Sequence, residues 1–283
     1  MKDTYFENKV AVVTGAGGTL CSEIAMDLAA KGAKVVLIGR TAEKLEKVAE
    51  KIRTAGGVCA VKAGDVTDAD AMERIADEIR EEWGVCRFLV NGAGGNNIKA
   101  MTTHPHFDPA EISAYKPEGM VGFFDLDLAE FQKVLLINTM GTVIPTRIFA
   151  RQMAEAGEGT ILNFASMNSY RPLTKVPAYA MSKAAVVNLT EWLATYLAPA
   201  KIRINAVAPG FFVNERSVKY LGSVENGLTP RGQSVISHTP MGRFGDPRDL
   251  LGTVSFLLDD RAAAFVTGIT VPVDGGFLSE SGI

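Results

Sequence analysis

Short β-branched runs alternate with helical patterns along most of this chain, and that alternation constrains its fold more than any other feature. "KVAVVT" (Lys9–Thr14) reads as a strand. "TLCSEIAMDLAAKG" follows with apolar residues at helical spacing and stops on Gly32. The pattern repeats with strands at Lys34–Gly39, 58–64 and Arg87–Gly94, separated by helices over 42–55 and Asp68–Trp83. It resumes with a helix from about Asp127, then strands at 159–166, 201–210 and 268–276, with helices over Pro177–Leu197 and Asp246–Leu258 between them. Strands joined through helices cross over right-handedly and lie parallel. The strand runs are apolar on both faces, as a sheet covered by helices on both sides requires. The expected fold is α/β, with a seven-stranded, mostly parallel, doubly wound sheet. Ligands of such sheets bind beyond the carboxyl ends of the strands, so the segments that follow strands should carry the chemistry.

Two stretches break the rhythm. Residues 95–126 hold two histidines and several aromatics before any periodic pattern, and 211–242 are irregular again. Loops this long in a compact domain are usually functional or disordered; here they are expected to be an inserted loop and a substrate lid. The net charge of −3 argues against a nucleic-acid surface. Cys21, Cys59 and Cys86 have no CxxC spacing, and each lies in or beside an apolar run, which reads as buried free thiols. The N-terminus lacks an apolar signal core and no run reaches membrane-spanning length. These observations lead us to expect a cytoplasmic protein without a nucleic-acid or membrane partner.

The first strand runs into "TGAGGTLC", Thr14 to Cys21, which opens a helix. Glycines there let a backbone approach a pyrophosphate, and the helix start supplies amides and a positive dipole. Further on, "AYAMSKAA" puts Tyr179 and Lys183 on one helix face. An ammonium beside a phenol favours phenolate. Ser166, in "NFASMN", precedes Tyr179 by thirteen residues. Together with Asn138 in "LLINTMG", "NGAG" (Asn91–Gly94), Asp65 in "AGDVTD", "APG" (Ala208–Gly210) and "VTGITVPVDGG", these motifs resemble the short-chain dehydrogenase/reductase family. The resemblance runs from about residue 9 to 277 and implies one Rossmann-type domain over 1–283. Its TGxxxGxG loop is altered here. Thr14 and Gly15 match, but Thr19 and Cys21 stand where the pattern has its second and third glycines. Thr19 cannot easily hold a positive φ, although its hydroxyl could cap the helix or touch a phosphate.

The resemblance assigns catalysis to Ser166, Tyr179, Lys183 and Asn138. Tyr179 would be the general acid in reduction and the base in oxidation. Lys183 would lower its pKa and hold the nicotinamide ribose, Ser166 would bind the carbonyl oxygen, and Asn138 would anchor a relay water. Cofactor contacts are expected from Gly15, Gly17, Gly18, Thr19, Leu20, Arg40, Asp65, Val66, Asn91, Gly92, Ala93, Pro209 and Gly210, besides Tyr179 and Lys183. Gly39–Arg40 ends the second strand, where NAD enzymes of this fold usually carry an acid. Arg40 could pair with a 2′-phosphate, so NADP(H) is expected ahead of NAD(H).

"FFDLDLAEF", "SMNSYRPLTKVPAY", "APGFF" and "HTPMGRFGDP" also resemble a narrower bacterial group, D-mannonate oxidoreductase (fructuronate reductase) and its relatives. Several members of that group carry an acid after the second strand, unlike Gly39–Arg40. A sugar acid needs a cation for its carboxylate and polar groups for its hydroxyls. Lys175 is the first candidate for the carboxylate, with Asn168, Asn96 and Phe211 beside the substrate. His104 and His106 lack a third ligand at metal-binding spacing, so no metal is expected, and His238 is either a lid or a structural residue. The rival readings are a 3-oxoacyl thioester or other ketone reductase, and a catalytically silent dinucleotide-binding regulator. The resemblance also implies a homotetramer.

Overall fold

A computed structural model describes residues 4–213, 217–223 and 227–281. The sheet strands are β1 (Val10–Thr14), β2 (Lys34–Gly39), β3 (Val58–Ala63), β4 (Cys86–Asn91), β5 (Gly159–Phe164) and β6 (Ile202–Pro209), with a last one at Thr270–Val273. All seven run parallel, in the order β3-β2-β1-β4-β5-β6-last. The order reverses between β1 and β4, and that reversal opens a crevice at the carboxyl ends of the two strands.

Period-two geometry gives each strand two buried faces. In β1, Ala11 and Val13 enter one apolar cluster, while Val10 and Val12 enter the other. In β2, Val35 and Leu37 face one way, Val36 and Ile38 the other. The first cluster is completed by α1 (Thr19–Ala30) and α2 (Ala42–Thr54), the second by α3 (Ala69–Trp83) and α4 (Leu128–Ala156). Helix starts and stops are written locally. Asp68 caps α3 by accepting from the Ala71 amide at 3.0 Å, and Asp127 caps α4 through the Ala129 and Glu130 amides. Gly157 ends α4 at φ 74°, a left-handed stop. α5 (Pro177–Leu197) starts on its proline. Arg87, Asp260 and Arg203 form an ion cluster at the amino-terminal ends of β4 to β6, away from the crevice.

Residues expected to be irregular carry short elements. Residues 95–126 contain three single 3₁₀ turns, at Ile98–Ala100, Pro109–Ile112 and Phe123–Asp125. Residues 211–242 hold α6 (Val218–Leu221), a two-stranded ribbon of β7 (Gly222–Ser223) and β8 (Gly227–Leu228), and α7 (Pro230–Ser237). Within that expected lid, 214–216 and 224–226 lie outside the described residues. The helix expected over Asp246–Leu258 begins as a 3₁₀ turn, Pro247–Leu250, before α8 (Leu251–Leu258). A short α9 (Asp260–Ala263) follows, and the last strand, Thr270–Val273, is β9.

Candidate active site

The loop after β1 has the shape of a phosphate cradle. Gly15 takes φ +66°, and a Cβ there would lie 2.8 Å from the Ala93 backbone. Only glycine permits both the left-handed turn and that approach. Gly17 sits against Lys44, where a Cβ would be 3.0 Å from the lysine Cβ. Gly18 is the residue before α1 and is extended, and no side chain caps the helix. Its first-turn amides therefore suit an anion. Thr19 is the first helical residue, so its β-branch meets no positive φ, and its hydroxyl does not cap the helix. The left-handed position of this loop is Gly15. Cys21 is buried over Gly92, where an added Cβ would collide with its Sγ. The sulfur fills the space that the missing glycine would leave. Thr14 does more than match the loop pattern: its Oγ1 accepts from the Gly92 and Ala93 amides at 3.1 and 3.2 Å. That contact draws the loop after β4 onto the cradle. A polar residue closing an apolar strand was the available signal.

Ser166, Tyr179 and Lys183 converge at the ends of β5 and α5. Ser166 lies two residues past the end of β5 and starts a 3₁₀ turn at Met167–Ser169. Its Oγ accepts from the Asn168 amide at 3.2 Å and from Asn168 Nδ2 at 3.4 Å, which leaves the hydroxyl proton free to be donated. Ser169 Oγ donates to the Lys183 carbonyl at 2.7 Å and ties this turn to α5. Lys183 Nζ is buried, lies 5.8 Å from the centroid of the Tyr179 ring and donates to the Phe164 carbonyl at 2.6 Å. Burial pulls its ammonium down to about 8. Burial pushes the Tyr179 phenol up, and a hydrogen bond with Ser166 opposes that. The expected lowering of Tyr179 by Lys183 is therefore corrected. In this arrangement desolvation of the phenol outweighs that hydrogen bond, and Tyr179 holds its proton at neutral pH. Asn138 is fully buried. Its Oδ1 accepts from the Gly95 amide at 3.1 Å, and its Nδ2 donates to the Gly95 and Val134 carbonyls at 2.8 and 2.9 Å. It clamps the loop after β4 to α4, beside Gly94, where a Cβ would stand 3.5 Å from Lys183 Nζ.

On the other side of the cradle lie Arg40 and Asp65. Arg40 is exposed at the end of β2 and makes no hydrogen bond or ion pair among the described residues. Burial acts to raise the Asp65 carboxyl, but hydrogen bonds from the Thr67 amide and hydroxyl, with the Arg40 charge, hold it below the usual carboxylate range. Val66 is buried against Gly141 of α4, and Leu20 packs partly into the first apolar cluster. Asn91, expected at the cofactor, is turned inward instead. Its Nδ2 donates to Thr146 Oγ1 at 2.8 Å and to Asn163 Oδ1 at 2.9 Å. Its NH2 group joins β4 to α4 and β5, because a buried donor must find acceptors where it lies. Pro209 ends β6, and the Gly210 amide bonds Val273 at 2.9 Å.

At the mouth, Asn168 supports Ser166 and also accepts from the Leu173 amide at 2.9 Å, so it shapes the loop leading to Tyr179. Lys175 takes φ +74° and donates its ammonium to the Thr103 carbonyl at 2.8 Å, fastening the inserted loop. Asn96 is exposed and accepts from the Asn97 amide. Phe211 meets the Phe277 ring edge-on at 5.4 Å. His104 Nε2 pairs with Glu111 Oε1 at 2.6 Å, so this histidine organises the inserted loop. That bond holds the Glu111 carboxyl below its usual range.

A glycine cradle, a helix start without a side-chain cap and a Tyr–Lys pair beside them define a dinucleotide-dependent oxidoreductase of the doubly wound α/β class. The short chain dehydrogenase family model matches residues 9–220, and the chain belongs to the short-chain dehydrogenase/reductase family, as an NAD(P)-dependent enzyme. It is 41% identical over 276 residues to the Bacillus subtilis protein called "Uncharacterized oxidoreductase UxuB", covering 97% of this chain and 96% of that one. Its fold matches a "putative D-Mannonate oxidoreductase from Haemophilus influenza" with bound NAD at a TM-score of 0.91 and 40% identity, over 98% of this chain and 97% of that one. It also matches a gluconate 5-dehydrogenase from Burkholderia cenocepacia, in complex with NADP and tartrate, at a TM-score of 0.81 and 27% identity, over 98% of each chain. Among the described residues no helix is long and apolar enough to cross a membrane.

Proposed function

We propose that this enzyme interconverts a keto sugar acid and its secondary alcohol, of the fructuronate/mannonate kind, with NADP(H) preferred over NAD(H). The observation that carries the chemistry is the convergence of Ser166, Tyr179 and Lys183 beside the cradle. When bound, the nicotinamide supplies or accepts the hydride at the carbonyl carbon. Tyr179, protonated at neutral pH, donates its proton to the carbonyl oxygen in reduction and takes it back in oxidation. The Ser166 hydroxyl donates to the same oxygen and stabilises the charge developing there. Lys183, with its ammonium brought to about 8, exchanges protons near neutral pH and stands where a ribose hydroxyl can be held. Asn138 keeps the Gly94–Gly95 backbone in place and so positions Lys183.

NADP(H) is supported by Arg40, an exposed guanidinium at the end of β2 that makes no hydrogen bond or ion pair among the described residues, and by the lack of an acid at residues 39 and 40. The Haemophilus relative, by contrast, holds NAD. A sugar acid is supported by that relative's name and by Lys175, a cation at the mouth. A tetramer is supported by apolar side chains left exposed on α4 and α5, namely Leu136, Met140, Trp192 and Tyr196.

The test mixes the enzyme with NADPH or NADH and D-fructuronate, D-tagaturonate, 5-keto-D-gluconate or an acetoacetyl thioester, and follows nicotinamide absorbance. Fast oxidation of NADPH by a keto acid, abolished in Tyr179→Phe, is expected. Turnover of the thioester alone would refute the sugar-acid reading.

A further inference from the structure

A cavity of about 410 Å³ lies between the loop leading to Tyr179 and α7. Its volume is in the range of small-ligand sites, roughly 300–1,000 Å³. Leu173, Lys175, Phe211 and Phe277 line it, with Arg231 from α7 and His238 from the residue that caps that helix's carboxyl end. Among the described residues, three cationic or protonatable groups line it and no carboxylate does. An anion entering this cavity is drawn by the charge of its described lining.

The three groups are not equally free. Lys175 already gives its ammonium to the Thr103 carbonyl at 2.8 Å. His238 Nδ1 lies 2.7 Å from the Ser234 carbonyl, an acceptor, so the proton sits on Nδ1. That tautomer leaves Nε2 as an acceptor, suited to a hydroxyl. Arg231 makes no hydrogen bond or ion pair among the described residues, although it is exposed on the cavity's rim. A guanidinium presents a planar fork of donors that matches a carboxylate in two parallel bonds.

We propose that Arg231 is the specificity residue that reads the substrate carboxylate, and that His238 Nε2 accepts from a substrate hydroxyl. Lys175 is then a positioning residue that holds the inserted loop against the cavity. The assignment rests on the sugar-acid reading above. Phe211 and Phe277, which line the cavity, supply the apolar side that a sugar's C–H face needs.

The experiment compares an acidic and a neutral substrate on the cofactor-loaded enzyme. KM and kcat are measured with D-fructuronate and D-fructose for the wild type, Arg231→Ala, Arg231→Lys and Lys175→Met. Arg231→Ala is expected to raise KM for the keto acid about 10- to 100-fold, with kcat and the ketose values little changed. Arg231→Lys should recover part of that loss, since it restores charge without the fork. Lys175→Met should affect both substrates alike. Calorimetric binding of D-mannonate should weaken by the same factor in Arg231→Ala, which gives a readout without turnover. An equal change for both substrates in Arg231→Ala, or a carboxylate-selective loss in Lys175→Met alone, would overturn the assignment. A wild type that does not favour the keto acid over the ketose would remove the sugar-acid reading itself. A wild type that does, with Arg231→Ala unchanged, would remove only Arg231.

Discussion

Replacing Lys183 with methionine should make the protein more stable while destroying its catalysis. The side chain is 5% exposed, and burial carries its ammonium from 10.5 to about 8. That displacement corresponds to about 3 kcal/mol against the folded state wherever the lysine is charged in both states. Methionine is similar in length and brings no charge to desolvate. It leaves the Phe164 carbonyl without the bond it receives at 2.6 Å, a loss of about 1 kcal/mol. The net gain at pH 7 is about 2 kcal/mol, or a rise in Tm of about 4 °C for a chain of this length. The sign with pH follows from the direction of the shift. A base whose folded value is depressed imposes its full cost below the folded value, and the cost fades between the folded and unfolded values. The advantage of Lys183→Met should therefore be constant below pH 8, shrink as pH rises above about 8, and reverse before 10.5 is reached, where the remaining charge cost falls below the lost hydrogen bond. Urea unfolding of both proteins without cofactor, at pH values from 6.5 to 10.5 in this window, measures it. A variant less stable than wild type at pH 7, or a difference flat with pH, would refute the reasoning.

Arg40→Ser should raise KM for NADPH about 10- to 100-fold and leave NADH unchanged, as read by steady-state kinetics with both cofactors. Gly92→Ala should destabilise the protein by about 1–3 kcal/mol, because the new methyl collides with Cys21 Sγ. Cys21→Gly in the same chain should restore much of that loss, and a denaturation double-mutant cycle would show coupling of about 1 kcal/mol or more. Glu111 is held below its usual value by His104. Its contribution to ordering the inserted loop should be present above the ordinary carboxylate value of 4.5 and be lost as pH falls through the lower folded value. Limited proteolysis within residues 95–126 should therefore increase in Glu111→Gln at neutral pH, with wild type approaching the variant in acid.

The repeated elements were legible in the sequence because each is specified by neighbours along the chain. Strand runs such as "KVAVVT" declare themselves by apolar, β-branched residues. Helix ends were fixed by Asp68, Asp127, Pro177 and Gly157, whose effects act within one turn. The short elements of 211–242 escaped notice because a two-residue ribbon and a one-turn helix leave too few residues to show a period. The spacing of Ser166, Tyr179 and Lys183 was visible for the same local reason, since a turn and a helix connect them.

The α/β alternation, the position of the cradle and the residues of the Ser–Tyr–Lys set are therefore written locally along the chain. How each polar group is used depends on the folded surroundings. Asn91 and Asn138 look alike as asparagines after apolar runs, yet one joins β4 to β5 and the other clamps Gly95. Lys175 and Arg231 are both loop or helix cations, yet only Lys175 meets a carbonyl 72 residues away in the chain. Tyr179 takes its pKa from burial rather than from the lysine one turn along. Desolvation and hydrogen-bond partners depend on what the fold brings near, and distant segments of the chain supply both.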